Sequence, residues 1–333
     1  MIEVPAGLQP LLDDFRAGKR IALARAITLV ENEREGFQAF LHAVLSEGAR
    51  RGRRLGFTGP PGAGKSTLLA EIASVYLARG ESVGVVAVDP TSPFSGGALL
   101  GDRIRMNDLA TDPGVFIRSM ATRGSLGGLA TSTREVLDLM DAFGFARVLI
   151  ETVGVGQTEL EITGAADTVV VVLVPESGDG VQAMKAGLME IADIFVVNKA
   201  DRPGADRLIK EISSAIHLRA PGKDWAIPVL RVVAQKGEGV PELVMAVEAH
   251  GAWLERTGEL AARRRGRAER RVRDVAERAL RRLTWEDDRV RQRLAIGVDA
   301  VANGRETAYS VADGIVGEVV RSRVHNRART QGE

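Results

Sequence analysis

A glycine-rich run of nine residues offers the clearest chemistry in the sequence, because it matches the phosphate-binding pattern G-x-x-x-x-G-K-S/T. Its glycines let successive backbone N–H groups face a phosphate, and the dipole of a following helix adds to their attraction. We expect Lys65 to reach the β- and γ-phosphates and the Ser66 hydroxyl to bind Mg²⁺. A turn without a ligand is the alternative, which the flanking strand and helix patterns disfavour. The loop comprises Gly59, Pro60, Pro61, Gly62, Ala63, Gly64, Lys65, Ser66 and Thr67.

A second polar motif predicts which base is bound. Asn198-Lys199-Ala200-Asp201 follows an apolar run that ends at Val197. The Asp201 carboxylate can accept hydrogen bonds from N1–H and the 2-amino group of guanine, whereas adenine would leave this charge unpaired. We expect Lys199 to lie along the base and Asn198 to tie neighbouring loops together. A helix cap is the alternative for such a tetrapeptide, because Asn and Asp are favoured at caps.

The run 233–236 ends the next predicted strand and completes the base site. The backbone N–H of Ala234 is the predicted donor to guanine O6, and Gln235 and Lys236 belong to the same binding segment. Together, the two motifs predict that the chain binds GTP or GDP with Mg²⁺.

Three acidic residues compete for the magnesium ion. Asp89 ends the second predicted strand, Asp102 follows a flexible glycine-containing stretch, and Glu151 ends the third. Because Mg²⁺ keeps several water ligands, one or two of these carboxylates suffice. A surface turn or a cap is the alternative for each of them, since Asp often fills such positions.

The segment that begins at Glu151 has the features of a γ-phosphate sensor. It combines an acidic residue for the metal with Gly154, which permits close approach to a phosphate. Loops of this kind are held by the γ-phosphate and Mg²⁺ and are released on hydrolysis. Gln157 and Glu159 are the two candidates for orienting the attacking water.

Short apolar runs alternate with longer amphipathic stretches in the middle of the chain, which predicts a parallel sheet with crossover helices. Five of the six predicted strands are followed directly by a polar or glycine-rich motif. Ligands of open α/β sheets bind beyond the carboxyl ends of the strands, so these motifs should converge on one site. The prediction is an α/β P-loop NTPase fold with a mostly parallel central sheet flanked by helices. The strands are predicted at 55–58, 83–88, 147–150, 168–174, 194–197 and 229–233.

Both ends of the chain predict helices. Leu23, Ile27 and Val30 recur at helical spacing near the start, and the last sixty residues show helical patterns with a break near Gly304. We therefore predict three regions. These are an N-terminal helical extension at 1–50, a P-loop GTPase domain at 51–255 and a C-terminal helical dimerisation region at 256–333.

The composition excludes several classes of function. With 45 basic and 44 acidic residues, the net charge of +1 argues against a nucleic-acid partner. The arginine-rich run 263–271 is interrupted by the acidic Glu269 and lacks the aromatic residues that stack on bases, which favours a solvated helix face or a dimer arm. There are no cysteines, so disulfides and thiolate metal sites are excluded. No apolar run approaches the roughly 20 residues of a membrane span, and we expect a cytoplasmic protein without a membrane partner.

In order and spacing, these motifs resemble the MeaB/ArgK family of P-loop GTPases, to which the methylmalonic aciduria type A protein belongs. The resemblance covers roughly residues 5–250, and the helical ends match more loosely. The combination of the 151–157 and 124–130 segments is far more specific than a lone phosphate loop. The matching segments are 57–67, 87–92, 101–106, 124–130, 151–157 and 198–201.

The resemblance implies a chaperone of an adenosylcobalamin-dependent acyl-CoA mutase, usually methylmalonyl-CoA mutase. Such proteins form homodimers through a C-terminal arm and use GTP to gate cofactor loading and to protect or reactivate the mutase. The resemblance also implies that Asp89, Asp102 and Glu151 belong to the magnesium shell and the switches. Residues 175–185 correspond to an additional switch loop in which Lys185 matches the functional lysine. This loop and the arginine-rich tail differ from those of relatives. The differences concern the identity of the partner more than the nucleotide chemistry.

Other functions share parts of this architecture. A metallochaperone GTPase for nickel delivery needs clusters of His or Cys, but the four histidines stand alone. An ATP-using kinase for basic amino-acid transport conflicts with a guanine-reading Asp201. A regulatory protein that binds GTP and hardly hydrolyses it stays open, because a partner can supply part of a GTPase site.

Overall fold

In the computed structural model, the described residues are 3–46, 52–89, 109, 111–121, 131–152, 161–175, 187–218 and 225–330. Within them, seven strands form one sheet in which every strand pair is parallel. The strands are β1 (Arg53–Thr58), β2 (Val83–Asp89), β3 (Val115–Ala121), β4 (Arg147–Thr152), β5 (Thr168–Leu173), β6 (Ile194–Val197) and β7 (Val229–Arg231). Their order is β3-β2-β4-β1-β5-β6-β7, which confirms the predicted fold class.

The prediction of six strands is wrong in one respect, because it omits β3. This strand lies at the edge of the sheet and pairs only with β2. Val115 and Met120 are buried, whereas Arg118 and Ser119 between them are partly exposed. An edge strand is covered less completely than a central one, so its sequence lacks the continuous apolar run used to predict the others.

Helices cover both faces of this sheet or form the C-terminal end of the chain. Short 3₁₀ turns lie at Ala6–Leu8, Ile162–Gly164 and Ala234–Lys236. The helices are α1 (Gln9–Arg16), α2 (Arg20–Glu31), α3 (Phe37–Leu45), α4 (Lys65–Ala78), α5 (Thr131–Phe143), α6 (Leu188–Ile191), α7 (Ala205–Leu218), α8 (Val240–Thr257), α9 (Glu259–Trp285), α10 (Asp288–Ala302) and α11 (Ala308–Thr330).

Two apolar cores lie on opposite faces of the sheet. The larger core joins the sheet to the N-terminal helices, α5 and α7, and it includes the fully buried Leu23, Ile27 and Val30 of α2. The smaller core joins the other face to α4 and α8 through residues such as Ile72 and Leu243. Burial on both faces explains why the central strands are apolar throughout. Residues 1–263 form one compact unit, so the N-terminal helices share the core of the sheet.

Residues 264–333 form a second compact unit. Its small core contains Val290 of α10 together with Val311 and Ile315 of α11. A Cβ at Gly297 would lie 2.3 Å from a methyl carbon of Val311, so glycine permits these two helices to approach closely. The predicted break near Gly304 falls between α10 and α11. No helix in the described part of the chain is long and apolar enough to cross a membrane.

Candidate nucleotide-binding site

The glycine-rich loop connects the carboxyl end of β1 to the amino end of α4. Gly59 has φ +137°, and a Cβ there would lie 2.0 Å from the carbonyl oxygen of Val172 in β5. Gly64 has φ +82° and caps α4, and a Cβ there would lie 2.5 Å from Nδ2 of Asn198. A side chain at either position would therefore collide with a neighbouring strand or loop, which explains the two glycines of the motif.

Lys65 is the first residue of α4 and is buried. Its ammonium group donates hydrogen bonds to the carbonyl oxygens of Gly59, at 2.7 Å, and of Pro60, at 3.0 Å. These bonds hold the positive charge against the backbone of the loop, at the amino end of a helix whose dipole also attracts anions. The loop therefore has the geometry and the charge to enclose a phosphate group.

Ser66 and Glu151 meet on the side of the loop next to β4. The Ser66 hydroxyl donates a hydrogen bond of 2.8 Å to Oε1 of Glu151, and each residue is only 5% exposed. A hydroxyl and a carboxylate are oxygen ligands of the kind that Mg²⁺ prefers, and this ion needs only one or two carboxylates when phosphates and water complete its shell. The pair fits a magnesium ion. Among the described residues, no group of three or more His, Cys, Asp or Glu side chains could hold a metal by itself.

A second hydroxyl contact joins the ends of β1 and β4. Thr152 Oγ1 donates a hydrogen bond of 3.1 Å to Thr58 Oγ1, and neither residue has exposed surface. Thr58 immediately precedes the glycine-rich loop, and Thr152 immediately follows Glu151. Neither threonine was predicted from sequence to form this contact, although each hydroxyl follows an apolar run at the end of a strand.

Asn198 connects the base motif to two other loops. Its Nδ2 donates to the carbonyl oxygen of Ala63 at 2.8 Å, and its Oδ1 accepts a hydrogen bond from the N–H of Ala234 at 3.1 Å. The side chain is 2% exposed. It therefore ties the loop after β6 to the glycine-rich loop and to the turn after β7, as expected from its position.

Lys199 and Asp201 lie at the surface of the same motif. Lys199 has φ +54°, a left-handed conformation that is uncommon for a residue with a side chain and that often marks functional loops. The exposed Asp201 carboxylate lies 3.8 Å from the Lys236 ammonium group. Gln235, the residue before Lys236 in the chain, is also exposed.

Several predicted site residues cannot be placed with the others. Asp89 is the last residue of β2, and only its backbone is described. Asp102, Gln157, Glu159 and Lys185 lie outside the described residues.

A partly buried ionic cluster lies at the opposite edge of the sheet, at the amino ends of β5 and β6. Arg263 donates two hydrogen bonds of 2.8 Å to the Asp193 carboxylate, and His250 Nε2 lies 3.3 Å from it. Burial alone would raise the pKa of Asp193, but the contacts with Arg263 and His250 lower it to about 2. Arg263 belongs to α9, so this cluster, which was not anticipated from sequence, fixes the start of that helix beneath the sheet.

The fold and the loop define a P-loop nucleotide-binding protein. A solved structure described as an LAO/AO transport system kinase is similar over 95% of this chain and 98% of that chain, with a TM-score of 0.70 and 28% identity. A family model described as "Methylmalonyl Co-A mutase-associated GTPase MeaB" matches residues 23–289. The chain therefore belongs to the MeaB family, which confirms the resemblance found in the sequence.

Curated relatives agree with this assignment. A putative GTPase of Pyrococcus horikoshii is 49% identical over 271 residues, which cover 80% of this chain and 85% of the relative. The GTPase ArgK of Escherichia coli is 39% identical over 254 residues, covering 74% and 76% of the two chains. The mitochondrial methylmalonic aciduria type A homolog of Mus musculus is 39% identical over 264 residues, covering 74% and 64%. The chain is thus a GTPase that hydrolyses GTP to GDP and phosphate.

Proposed function

We propose that residues 59–67 enclose the phosphates of GTP or GDP and that Lys65 reaches the β- and γ-phosphates. The burial of Lys65 and its bonds to the first two carbonyl groups of the loop support this role. Ser66 and Glu151 would hold Mg²⁺, which neutralises phosphate charge when it is bound. The 2.8 Å contact between these buried oxygen ligands is the observation that carries the metal assignment. Asp89 and Asp102 remain the other candidates for this shell.

Guanine would be recognised by Asp201, with Lys199 along the base and Asn198 holding the surrounding loops in place. The two hydrogen bonds of the buried Asn198 support this arrangement, because they fix the base motif relative to the phosphate loop. The N–H of Ala234, the proposed donor to guanine O6, donates to Asn198 Oδ1 in this structure and would have to turn from that oxygen toward the base. Gln235 and Lys236 would border the base. Gln157 remains the proposed water-positioning residue and Lys185 the proposed functional lysine of an additional switch.

The proposed biological role is that of a GTP-dependent chaperone for an adenosylcobalamin-dependent acyl-CoA mutase. Methylmalonyl-CoA mutase is the proposed partner, because the family model that matches residues 23–289 is described by its association with that enzyme. GTP binding and hydrolysis would gate loading of the cofactor and would protect or reactivate the mutase. Slow turnover in isolation is expected if the partner completes the catalytic site.

Binding between the purified GTPase and purified methylmalonyl-CoA mutase tests this role. We expect an affinity that differs between GDP and a non-hydrolysable GTP analogue, together with faster GTP turnover when the mutase is present. Lys65→Ala, which should bind GTP only weakly, serves as the control for dependence on the nucleotide. If the mutase neither binds in any nucleotide state nor changes the turnover, the partner assignment is wrong while the nucleotide assignment stands.

We also propose that the C-terminal unit forms a homodimer with a second copy of the chain. α9 contains no buried residue, and its large apolar side chains, three or five residues apart, form one broad exposed stripe. A matching stripe on a second copy would remove this apolar surface from water. The stripe includes Val272, Val275, Leu280 and Leu283.

Light scattering after size-exclusion chromatography measures this association directly. Val272→Glu should shift the protein from dimer to monomer, because the new charge would be buried in the interface. Gln292→Glu adds the same charge at an exposed polar position of α10 and should leave the dimer intact. A wild-type protein that is monomeric at micromolar concentration would refute the proposal.

A further inference from the structure

The hydroxyl pair formed by Thr58 and Thr152 extends the contact between β1 and β4 beyond their backbone pairing. The register of the two strands ends with Phe57 opposite Glu151, and the threonines are the next residue on each strand. Their 3.1 Å hydrogen bond therefore joins the ends of the two strands. At this point β1 leads into the phosphate loop, and β4 has just passed Glu151.

Packing alone does not account for two threonines at these positions. Thr58 pairs in register with Val171, and Thr152 pairs with Val88, and both valines belong to the larger apolar core. Valine has nearly the same shape as threonine and favours strands at least as strongly, whereas a buried hydroxyl is costly unless it is hydrogen-bonded. The hydroxyls thus provide a directional link where apolar side chains would serve packing equally well.

Glu151 precedes this link on β4, and its side chain reaches the phosphate loop on the other face of the sheet. Since successive side chains of a strand point to opposite faces, Glu151 projects toward α4 while Thr152 projects into the larger core. The Glu151 carboxylate accepts the hydrogen bond from Ser66 on the α4 side. Fixing Thr152 on Thr58 therefore fixes the peptide that carries Glu151, and with it the distance between that carboxylate and the loop.

We propose that Thr58 and Thr152 are a positioning pair for GTP hydrolysis. Their hydrogen bond holds the end of β4 against the end of β1, so that Glu151 stays in register with Ser66. In this role the pair would act through Glu151 and not by contact with the nucleotide or the metal. This inference rests on the proposed assignment of Ser66 and Glu151 to the magnesium shell.

Four variants separate the hydroxyl link from simple packing. Thr152→Val and the double variant Thr58→Val/Thr152→Val remove the link, whereas Thr152→Ser keeps a hydroxyl. Thr168→Val removes another buried threonine hydroxyl, which lies 2.8 Å from His250 Nδ1 at the opposite edge of the sheet. The measurements are single-turnover GTP hydrolysis, the thermal midpoint, and a magnesium titration of the fluorescence of a bound labelled GDP.

The loss of one buried hydrogen bond predicts about five- to tenfold slower hydrolysis in Thr152→Val. The magnesium concentration at half-saturation should rise by a similar factor, while GDP affinity in the presence of EDTA stays within about twofold. The double variant should be no slower than Thr152→Val and should keep the wild-type thermal midpoint, because replacing both partners by apolar groups of the same shape is nearly neutral. Thr152→Ser and Thr168→Val should hydrolyse GTP at the wild-type rate.

The outcomes distinguish this inference from the assignment on which it rests. If the wild-type protein binds labelled GDP without any effect of Mg²⁺, the proposed metal shell is wrong, and the positioning role falls with it. If the wild type depends on Mg²⁺ but the valine variants match it in titration and rate, only the positioning pair is refuted. A Thr152→Ser variant as slow as Thr152→Val would also refute it, since the hydroxyl would then not be the cause.

Discussion

Replacing Gly64 with alanine tests whether the phosphate loop and the base motif are held together by Asn198. The new Cβ would lie 2.5 Å from Asn198 Nδ2, too close for any real contact. Gly62 in the same loop provides a matched control. Its φ of +75° is close to the +82° of Gly64, but a Cβ there would meet nothing within 4 Å. The two variants thus share backbone strain and differ in the collision with Asn198.

The expected magnitudes follow from these two effects. An alanine in the left-handed conformation costs about 1–2 kcal/mol, which applies to both glycines. The collision at Gly64 also forces Asn198 away from the carbonyl of Ala63 and the N–H of Ala234, and leaving a buried polar group without its partner costs about 1–3 kcal/mol. We therefore expect Gly64→Ala to lower the free energy of unfolding by about 1–3 kcal/mol more than Gly62→Ala does.

Urea denaturation of the nucleotide-free protein measures this difference. Tryptophan fluorescence is a suitable probe, because Trp225 and Trp253 lie within the first compact unit and both rings contact His250. Gly64→Ala should also weaken GTP binding in calorimetry, since Asn198 no longer orders the base motif. Equal unfolding free energies for the two variants would show that Asn198 does not couple the loops.

Three further substitutions test separate parts of the molecule. Lys65→Ala should weaken GTP binding about 100-fold in calorimetry, because charge-assisted hydrogen bonds to two phosphates are lost. Lys210→Ala, at an exposed position, should leave the GTP affinity unchanged. If Lys65→Ala keeps the wild-type affinity, the proposed phosphate site is wrong. Asp201→Asn should shift the binding preference from GTP toward xanthosine triphosphate, whose 2-oxo group accepts a hydrogen bond where the 2-amino group of guanine donates one. An unchanged preference in competition binding would show that Asp201 does not read the base. Asp193→Asn should lower the free energy of unfolding at pH 7 by about 1.5–3 kcal/mol, because the partly buried Arg263 loses its carboxylate and keeps only the carbonyl of Asp167.

The low pKa of Asp193 adds a pH dependence to the last of these predictions. Because its folded pKa of about 2 lies below the ordinary value, its stabilising effect is complete above about pH 4. That effect is lost as the pH falls through the folded pKa. The difference in unfolding free energy between wild type and Asp193→Asn should therefore shrink between pH 4 and pH 2 in urea denaturation. A difference that stays constant over this range would contradict the ion pair.

The phosphate loop could be predicted in full from sequence because its chemistry is local. Its glycines, Lys65 and Ser66 are neighbours in the chain, and the apolar run before them had only to form a strand. The position of the base motif was predictable for the same reason, since Asn198 directly follows β6, while its reading of guanine remains a prediction. Parallel strands end at one edge of a sheet, so the convergence of these motifs followed from the fold class alone.

Contacts between distant segments could not be predicted in the same way. The link from Thr152 to Thr58 depends on the register of β1 against β4, which apolar runs do not specify when both faces are buried. The contact between Asp193 and Arg263 joins the start of β6 to a helix far along the chain. The metal and switch roles of Asp102, Gln157 and Lys185 remain predictions, because these residues lie outside the described part of the chain.

The strand order places constraints on how a nucleotide can lie in the site. β1, which leads into the phosphate loop, has β4 with Glu151 on one side and β5, β6 and β7 on the other. The proposed metal ligand Glu151 and the base motif are therefore on opposite sides of β1. β6 is two strands from β1, which corresponds to about 10 Å at the usual strand spacing. A nucleotide with its phosphates over β1 must then extend across β5 to bring its base to Asp201. Asn198 joins the two motifs on this side, because its Nδ2 donates a hydrogen bond to the carbonyl of Ala63 and so holds the base motif next to the phosphate loop.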